Sequence, residues 1–267
     1  MRALAAAAAG LLALAGPASA GQTPAGQRIF IASDSTAQFY GPERYPQTGW
    51  GQFLKCGLTP DVQVENRAIG GRSTRTFLSE GRWDKLLGDA APGDLVLIQF
   101  GHNDASSNKP ERYAPAATVY RDNLLRMIWE ARGHGLVPVL VTPPMRRNFE
   151  GGHAKADFAA YSQVMRELVV TTNTPLIDLE ARSQAMLDRL GEQGARKLYL
   201  HYTPQNGAPG FPKGVDDDTH FSELGGRAMA DLVAQELKGL KQPVAGKVLA
   251  ERPDLTRKTP LGSAACR

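Results

Sequence analysis

The stretch Asp94-Leu95-Val96-Leu97-Ile98-Gln99-Phe100 decides the fold class of this 267-residue chain. A nearly unbroken apolar run of this length is typical of a strand buried on both faces of a parallel sheet. The run stops abruptly at the polar segment Gly101-His102-Asn103-Asp104. Because ligands bind beyond the carboxyl ends of strands in such sheets, this junction predicts a central strand that ends at a functional site.

Four further short apolar runs surround this strand in the sequence, at residues 28–32, 62–64, 136–141 and 176–179. Between the runs, apolar residues recur at helical spacing, as at Trp50, Phe53 and Leu54. Strands that alternate with helices predict an α/β fold with a parallel sheet, here of five strands. The Pro- and Gly-rich stretch 200–218 is too irregular for a strand or helix, and we expect a long functional loop there.

Composition limits the class of protein. Hydrophobic residues make up 42% of the chain and charged residues 22%, enough apolar mass to exclude wholesale disorder. The formal net charge of +4 is spread along the chain without a basic block. We therefore expect no nucleic-acid partner, although an anionic polymer remains a compatible substrate. We expect one domain over residues 21–241, an extended tail over 242–267, and a monomer.

The first twenty residues have the pattern of a secretory signal peptide. Arg2 precedes an apolar run from Ala3 to Ala15, and Ala18-Ser19-Ala20 is a small-x-small cleavage site. The run is shorter than the roughly 20 residues that span a bilayer, and no later segment approaches that length, so a membrane anchor is the less favoured interpretation. The sequence predicts export, to the periplasm or outside the cell, of a protein that begins near Gly21.

The chain has two cysteines, Cys56 and Cys266. In an exported protein they can pair, which would close a loop of about 210 residues and stabilise the fold by a few kcal/mol. Two unpaired thiols, with Cys56 buried, is the alternative that the sequence leaves open. Two cysteines are too few for a cysteine metal site, and no His, Asp and Glu set has zinc spacing, so we predict no metal.

Polar clusters at the predicted strand ends and before the last helix contain the groups that acyl transfer needs. A hydroxyl becomes a good nucleophile only when a base takes its proton, and an imidazole base needs an acceptor on its other nitrogen. Ser35, His220 and Asp217 are suited to these three roles. The backbone N–H groups of Ser35 and Gly71, with the side-chain amide of Asn103, are candidate donors to the oxyanion.

Each cluster also has a purely structural interpretation. Asp34 and Ser35 are suited to capping a helix, Gly71 to a tight turn, and Asn103 to an Asx turn. The acidic run 216–218 resembles a solvated loop more than a calcium site, since it lacks regular ligand spacing. Four clusters in one chain order, each at a strand end or loop, favour the catalytic interpretation.

Taken together, the four clusters resemble the motif blocks of the SGNH (GDSL) hydrolases, and most closely those of the rhamnogalacturonan acetylesterases. The similarity covers residues 28–238. It is carried by four segments: Asp34-Ser35-Thr36, Gly71-Arg72-Ser73, Phe100-Gly101-His102-Asn103-Asp104, and Asp217-Asp218-Thr219-His220-Phe221-Ser222.

The resemblance implies a three-layer α/β/α flavodoxin-like SGNH fold and a cofactor-free serine esterase. Carried over by position, it makes Ser35 the nucleophile, His220 the base and Asp217 its orienting partner. Gly71 and Asn103 would complete the oxyanion hole. One departure is Ser33, where the family usually has glycine.

The same resemblance favours acetylated pectin, a plant cell-wall polysaccharide, as the substrate. We expect Arg72 and His102 to bind substrate, and Arg75, Arg146 and Arg147 to suit galacturonate carboxylates. Two alternatives stay open. One is the same machinery acting on another ester, such as acetylated xylan; the other is a non-catalytic glycan-binding protein, which intact Ser35, Asp217 and His220 argue against.

Overall fold

The computed structural model describes residues 28–266, so the predicted signal peptide lies outside the described part of the chain. The strands are β1 (Arg28–Ala32), β2 (Gln63–Asn66), β3 (Leu95–Ile98), β4 (Val137–Val141), β5 (Phe149–Glu150), β6 (His153–Ala154), β7 (Leu176–Ile177), β8 (Tyr199–Tyr202) and β9 (Val215–Phe221). The α-helices are α1 (Trp50–Phe53), α2 (Thr74–Ser79), α3 (Arg82–Asp89), α4 (Arg121–Gly133), α5 (Ala159–Thr172), α6 (Leu179–Ala195) and α7 (Glu223–Gly239).

The central sheet has five parallel strands in the order β2-β1-β3-β4-β7, which confirms the predicted fold class. Alternate residues of the inner strands enter two separate cores. Ile29 and Leu95 pack on the side of α1 and α7, whereas Phe30 and Val96 pack on the side of α4 and α5. This division into two cores is the physical basis of the three layers.

The sequence pattern missed helix α6, the short strands β5 and β6, and the hairpin that β8 forms with β9. Helix α6 begins only two residues after β7, at Leu179, where we had extended the predicted strand. The supposed loop 200–218 contains most of an antiparallel hairpin, in which β8 pairs with β9. The hairpin has no clean apolar alternation because most of its side chains are half-buried or exposed, so strand periodicity was not visible.

The tail beyond α7 packs against the domain. Val248 forms a bridge with Leu58, and Cys266 is joined to Cys56 by a disulfide. The guanidinium of the fully buried Arg227 donates to the carbonyls of Asp254, Ser263 and Ala265. Within residues 28–266, no helix is both long enough and apolar enough to cross a membrane.

Candidate active site

The candidate nucleophile lies in a tight turn directly after β1. The carboxylate of Asp34 accepts hydrogen bonds from the backbone N–H of Thr36 at 2.9 Å and from its hydroxyl at 2.7 Å. The carbonyl of Ser35 accepts from the Tyr40 hydroxyl at 2.9 Å. These contacts fix the backbone on both sides of Ser35, whose side chain lines a cleft of about 610 Å³.

Ser33, at the position where the resemblance implies glycine, fits this turn. It is fully buried, and its hydroxyl donates to Oε1 of Gln99 at 2.9 Å. The indole N–H of Trp50 donates to the same oxygen at 3.0 Å. The extra Cβ and hydroxyl therefore point into the protein, away from the cleft, and gain a partner on the residue that follows β3.

Ser35, His220 and Asp217 form one hydrogen-bonded chain. The Nε2 atom of His220 lies 3.0 Å from Ser35 Oγ, and its Nδ1 lies 2.7 Å from Asp217 Oδ2. The other carboxylate oxygen of Asp217 accepts from the backbone N–H groups of Thr219, at 2.7 Å, and of His220, at 3.0 Å. Burial opposes the charge of Asp217, but these hydrogen bonds and the nearby histidine lower its pKa to about 2. Asp217 is therefore ionised at neutral pH.

Asp217 and His220 both belong to β9, which begins at Val215, inside the stretch where the sequence pattern indicates a loop. Strand β9 is hydrogen-bonded to β8, and it runs directly into α7 through the N-cap Ser222. The Ser222 hydroxyl accepts from the N–H of Gly225 at 3.3 Å. His220 is thus held between a hairpin and a capped helix, two rigid supports.

The three residues predicted to supply oxyanion donors, Ser35, Gly71 and Asn103, all line the same cleft. Gly71 has φ +79°, a left-handed conformation that L side chains rarely adopt, so glycine is needed to present its N–H there. The amide of Asn103 donates one N–H to the carbonyl of Arg72 at 3.0 Å. Since a primary amide has two N–H groups, the second remains for the substrate side.

Three arginines line the cleft, and sequence reasoning named one of them, Arg146. The guanidinium carbon of Arg146 lies 4.9 Å from the centre of the Phe158 ring, and that of Arg44 lies 5.2 Å from the Phe211 ring. Arg112 donates to the carbonyl of Gly71 at 3.4 Å, next to the oxyanion donors. Arg44 and Arg112 were missed because nothing in their local sequence distinguishes them from surface arginines.

Of the two residues predicted to bind substrate, His102 lies in the cleft and Arg72 does not. His102 lines the cleft, is buried, and packs against the Phe158 ring at a centroid distance of 4.3 Å. Burial and the charge of Arg146 hold its pKa well below the usual value. Arg72 does not line the cleft: its guanidinium pairs with Glu80 at 3.1 Å. Its backbone carbonyl serves the site instead, by orienting Asn103.

The other arginines singled out from the sequence also point elsewhere. Arg147 pairs with Asp218 at 2.6 Å, and Arg75 donates to the carbonyl of Tyr113 at 2.9 Å. Neither lines the cleft.

Asp104 connects two of the loops that form the site. It is fully buried, and its Oδ1 accepts from the backbone N–H of Thr74, at 2.9 Å, and from the Thr74 hydroxyl, at 2.5 Å. These bonds tie the start of α2, directly after the Gly71 loop, to the residue that follows Asn103. Burial raises the pKa of Asp104 to about 7, against the effect of the bonds from Thr74.

Comparison with known proteins finds a matching family model and similar esterases. Residues 34–228 match the model of the GDSL-like Lipase/Acylhydrolase family. The chain is 41% identical to a probable rhamnogalacturonan acetylesterase, YesY of Bacillus subtilis, over 84% of this chain and 98% of the relative. It is 36% identical to the rhamnogalacturonan acetylesterase RhgT of Bacillus subtilis, over 81% and 92% of the two chains.

Solved structures agree on the fold. YxiM of Bacillus subtilis superimposes with a TM-score of 0.68 at 29% identity, covering 81% of this chain and 58% of that one. Axe2, an acetylxylan esterase of Geobacillus stearothermophilus, superimposes with a TM-score of 0.57 at 16% identity, covering 79% and 94%. The chain belongs to the GDSL (SGNH) lipase/acylhydrolase family and is a carboxylic ester hydrolase whose curated relatives include acetylesterases.

Proposed function

We propose that this protein removes O-acetyl groups from rhamnogalacturonan, the acidic backbone of pectin, by a serine acyl-enzyme mechanism. The observation that carries the proposal is the chain from Ser35 through His220 to Asp217, at 3.0 and 2.7 Å, in a cleft with three arginines. The names of the two Bacillus relatives support the choice of substrate.

In the first half-reaction, Ser35 Oγ attacks the acetyl carbonyl carbon and its proton passes to Nε2 of His220. The carbonyl oxygen becomes an oxyanion that accepts from the N–H groups of Ser35 and Gly71 and from the Asn103 amide. Donors fixed at such a position are each worth a few kcal/mol to the transition state. The bond to the sugar oxygen then breaks, that oxygen takes the proton from His220, and an acetyl-serine remains.

In the second half-reaction, water attacks the acetyl-serine carbonyl while His220 accepts a proton from it. The bond to Ser35 Oγ breaks, the serine recovers its proton from His220, and acetate leaves. Asp217 stays ionised throughout, because its lowered pKa lies far below neutral pH. Its role is to hold the histidine tautomer and to stabilise the imidazolium that forms in each half-reaction.

Labelling tests the nucleophile. A fluorophosphonate should attach to Ser35 of the wild-type protein and fail to attach to the Ser35→Ala variant. Attachment at a different serine, or none, would contradict the assignment.

The charges of the cleft favour an acidic glycan over neutral xylan. Arg44, Arg112 and Arg146 line it, and Asp217, held by its histidine, is the acidic side chain among the lining residues. Planar guanidinium groups match uronate carboxylates with paired, charge-assisted hydrogen bonds. Neutral xylan offers no carboxylate on its backbone to these groups.

Substitution of Arg146 separates uronate binding from ester chemistry. In Arg146→Gln we expect kcat/KM on acetylated rhamnogalacturonan to fall at least tenfold more than kcat/KM on a small aryl acetate, because only the polymer has carboxylates. The control Arg126→Gln, on the exposed face of α4, should leave both unchanged. Equal losses on the two substrates in Arg146→Gln would count against a carboxylate contact.

We also propose export. The pattern of residues 1–20 and the Cys56–Cys266 disulfide support it, since disulfides persist mainly in oxidising compartments. N-terminal sequencing of the protein purified from its native cells should begin near Gly21. A mature chain that retains Met1 would contradict export by this signal.

A further inference from the structure

A second hollow surface lies on the other side of the β8–β9 hairpin from the catalytic cleft. It consists of three adjoining hollows of about 320, 430 and 410 Å³, which we call the basic groove. Lys197 and Leu224 line both the first and the second hollow. Arg196 and Tyr202 line both the second and the third, so the three hollows are neighbours in series.

Cations dominate this groove. Its lining includes Arg182, Arg189, Arg196, Lys197, Lys213, Arg257 and Lys258. Within residues 28–266, four of these seven have no carboxylate within 4.0 Å: Arg189, Lys197, Lys213 and Lys258.

The acidic residues of the groove already have basic partners. Asp231 pairs with Arg252 at 2.6 Å, Asp216 with Arg196 at 3.3 Å, and Glu223 with the buried Arg227 at 2.8 Å. The surplus of positive charge in the groove is therefore not cancelled by its own carboxylates. An anionic partner would supply the missing charge.

The floor of the groove is apolar. Its members are Met186, Leu198, Leu224, Leu232 and Leu255, and the ring of Tyr202 lies further along. An acidic sugar chain presents carboxylates at its edges and C–H faces on its rings, which suits a basic rim over an apolar and aromatic floor. Three hollows in series also suit an extended chain better than a single small anion.

The hairpin forms a thin wall between the groove and the cleft. Leu200 pairs with Asp217, and both line the catalytic cleft. The next pair along the hairpin, His201 and Asp216, lines the groove. Because successive residues of a strand point to opposite faces, one hairpin serves both surfaces.

We propose that the basic groove is a second binding site for an uronate-bearing polysaccharide, which holds polymer beside the catalytic cleft. The choice of polysaccharide rests on the proposed function. A chain segment bound in the groove raises the effective concentration of acetylated segments at Ser35 without changing the chemistry. The groove should therefore act on polymers and have no effect on small esters.

The test uses the triple variant Arg189→Glu/Lys197→Glu/Lys258→Glu. We expect its Kd for de-esterified polygalacturonate to be at least tenfold weaker than that of the wild-type protein at low salt. This difference should shrink as salt screens the charges. Acetate release from acetylated rhamnogalacturonan should show a raised KM, while hydrolysis of an aryl acetate keeps its wild-type rate.

The matched control is Lys55→Glu/Lys238→Glu/Lys241→Glu, which changes net charge equally at exposed lysines that do not line the groove. It should bind polygalacturonate within about twofold of the wild-type affinity. Equal weakening in the control, or wild-type affinity in the groove variant, would overturn the proposal. Binding of duplex DNA as tightly as polygalacturonate would overturn the assignment to a uronate polymer.

The two proposals fail in different ways. If the wild-type protein releases no acetate from rhamnogalacturonan but the groove variant loses polygalacturonate binding, the groove stands and the substrate assignment falls. If the wild-type protein releases acetate from rhamnogalacturonan and the groove variant binds polygalacturonate normally, the substrate assignment stands and the groove proposal falls.

Discussion

At the scale of single residues, Gln99 connects the structural and chemical parts of the site. Its Oε1 lies within 3.0 Å of donors on Ser33, Thr36 and Trp50, so one side chain connects the turn that carries Ser35 to the central sheet and to α1. The sequence predicted Gln99 only as part of a strand. Its function as a common acceptor depends on contacts between distant segments, which no local pattern reports.

Asp104 gives a pH-dependent prediction at the same scale. Burial raises its pKa to about 7, so the folded state holds the proton more strongly than the unfolded chain. Stability from this group is full below its ordinary pKa near 4 and is lost as pH rises through about 7. In Asp104→Asn the amide oxygen can still accept hydrogen bonds from Thr74. Because the amide does not titrate, the variant should not lose this stability as the pH rises.

We therefore expect the difference in Tm between Asp104→Asn and the wild-type protein to move in favour of the variant between pH 5 and pH 8. The corresponding change in the free energy of unfolding should be a few kcal/mol at most, since one pKa unit corresponds to about 1.4 kcal/mol. Thermal unfolding at the two pH values measures it. The exposed Asp122→Asn serves as control. A Tm difference that is constant with pH would contradict a protonated Asp104.

At the scale of elements, the junction of β9 and α7 positions His220, the proposed base. Gly225, in the first turn of α7, packs so closely that a Cβ would lie 1.8 Å from the carbonyl oxygen of Leu198. That backbone oxygen cannot move independently, because it also accepts the N–H of Ser222 at 3.0 Å. The start of α7 must therefore shift if residue 225 gains a side chain.

Gly225→Ala should lower the free energy of unfolding by several kcal/mol and reduce kcat, since the helix start carries the backbone next to His220. Gly239→Ala is the matched control at the other end of α7, where a Cβ meets nothing within 4 Å. Urea unfolding and aryl acetate hydrolysis measure both effects. Equal stability of the two variants would show that the close approach of α7 to Leu198 is not a constraint.

The sequence predicted the parallel strands from their apolar runs and missed the β8–β9 hairpin, which has no clean apolar alternation. The five parallel strands followed from short runs of apolar residues. The β8–β9 hairpin was missed because most of its side chains are half-buried or exposed, and several of them face a cleft and a groove. Functional surfaces weaken the periodicity on which sequence prediction depends.

At the scale of the whole molecule, the tail is bound to α7, the helix that follows His220. Arg227 is fully buried, pairs with Glu223 at 2.8 Å and holds three tail carbonyls. Glu223 in turn accepts from the backbone N–H groups of Leu261, at 2.7 Å, and Gly262, at 2.9 Å. The sequence showed two cysteines and a tail without periodicity, but not this buried ion pair.

The disulfide closes this arrangement by linking residues 210 positions apart in the sequence. Cys56→Ser/Cys266→Ser should lower the free energy of unfolding by about 2–5 kcal/mol, because the unfolded chain regains the freedom of a very long loop. Urea unfolding of both proteins measures the loss. The wild-type protein in reducing agent should match the double variant. Equal stability without reductant would show that the bond does not constrain the chain.

The most direct test of the central claim is acetate release from acetylated rhamnogalacturonan and from acetylated xylan, by the wild-type protein and by Ser35→Ala. We predict fast acetate release from rhamnogalacturonan and little from xylan. In Ser35→Ala we expect the rate of acetate release to fall at least a thousandfold, because only the oxyanion donors and the substrate-binding groups remain. Release from xylan alone would contradict the pectin assignment, and undiminished release by Ser35→Ala would contradict the serine mechanism.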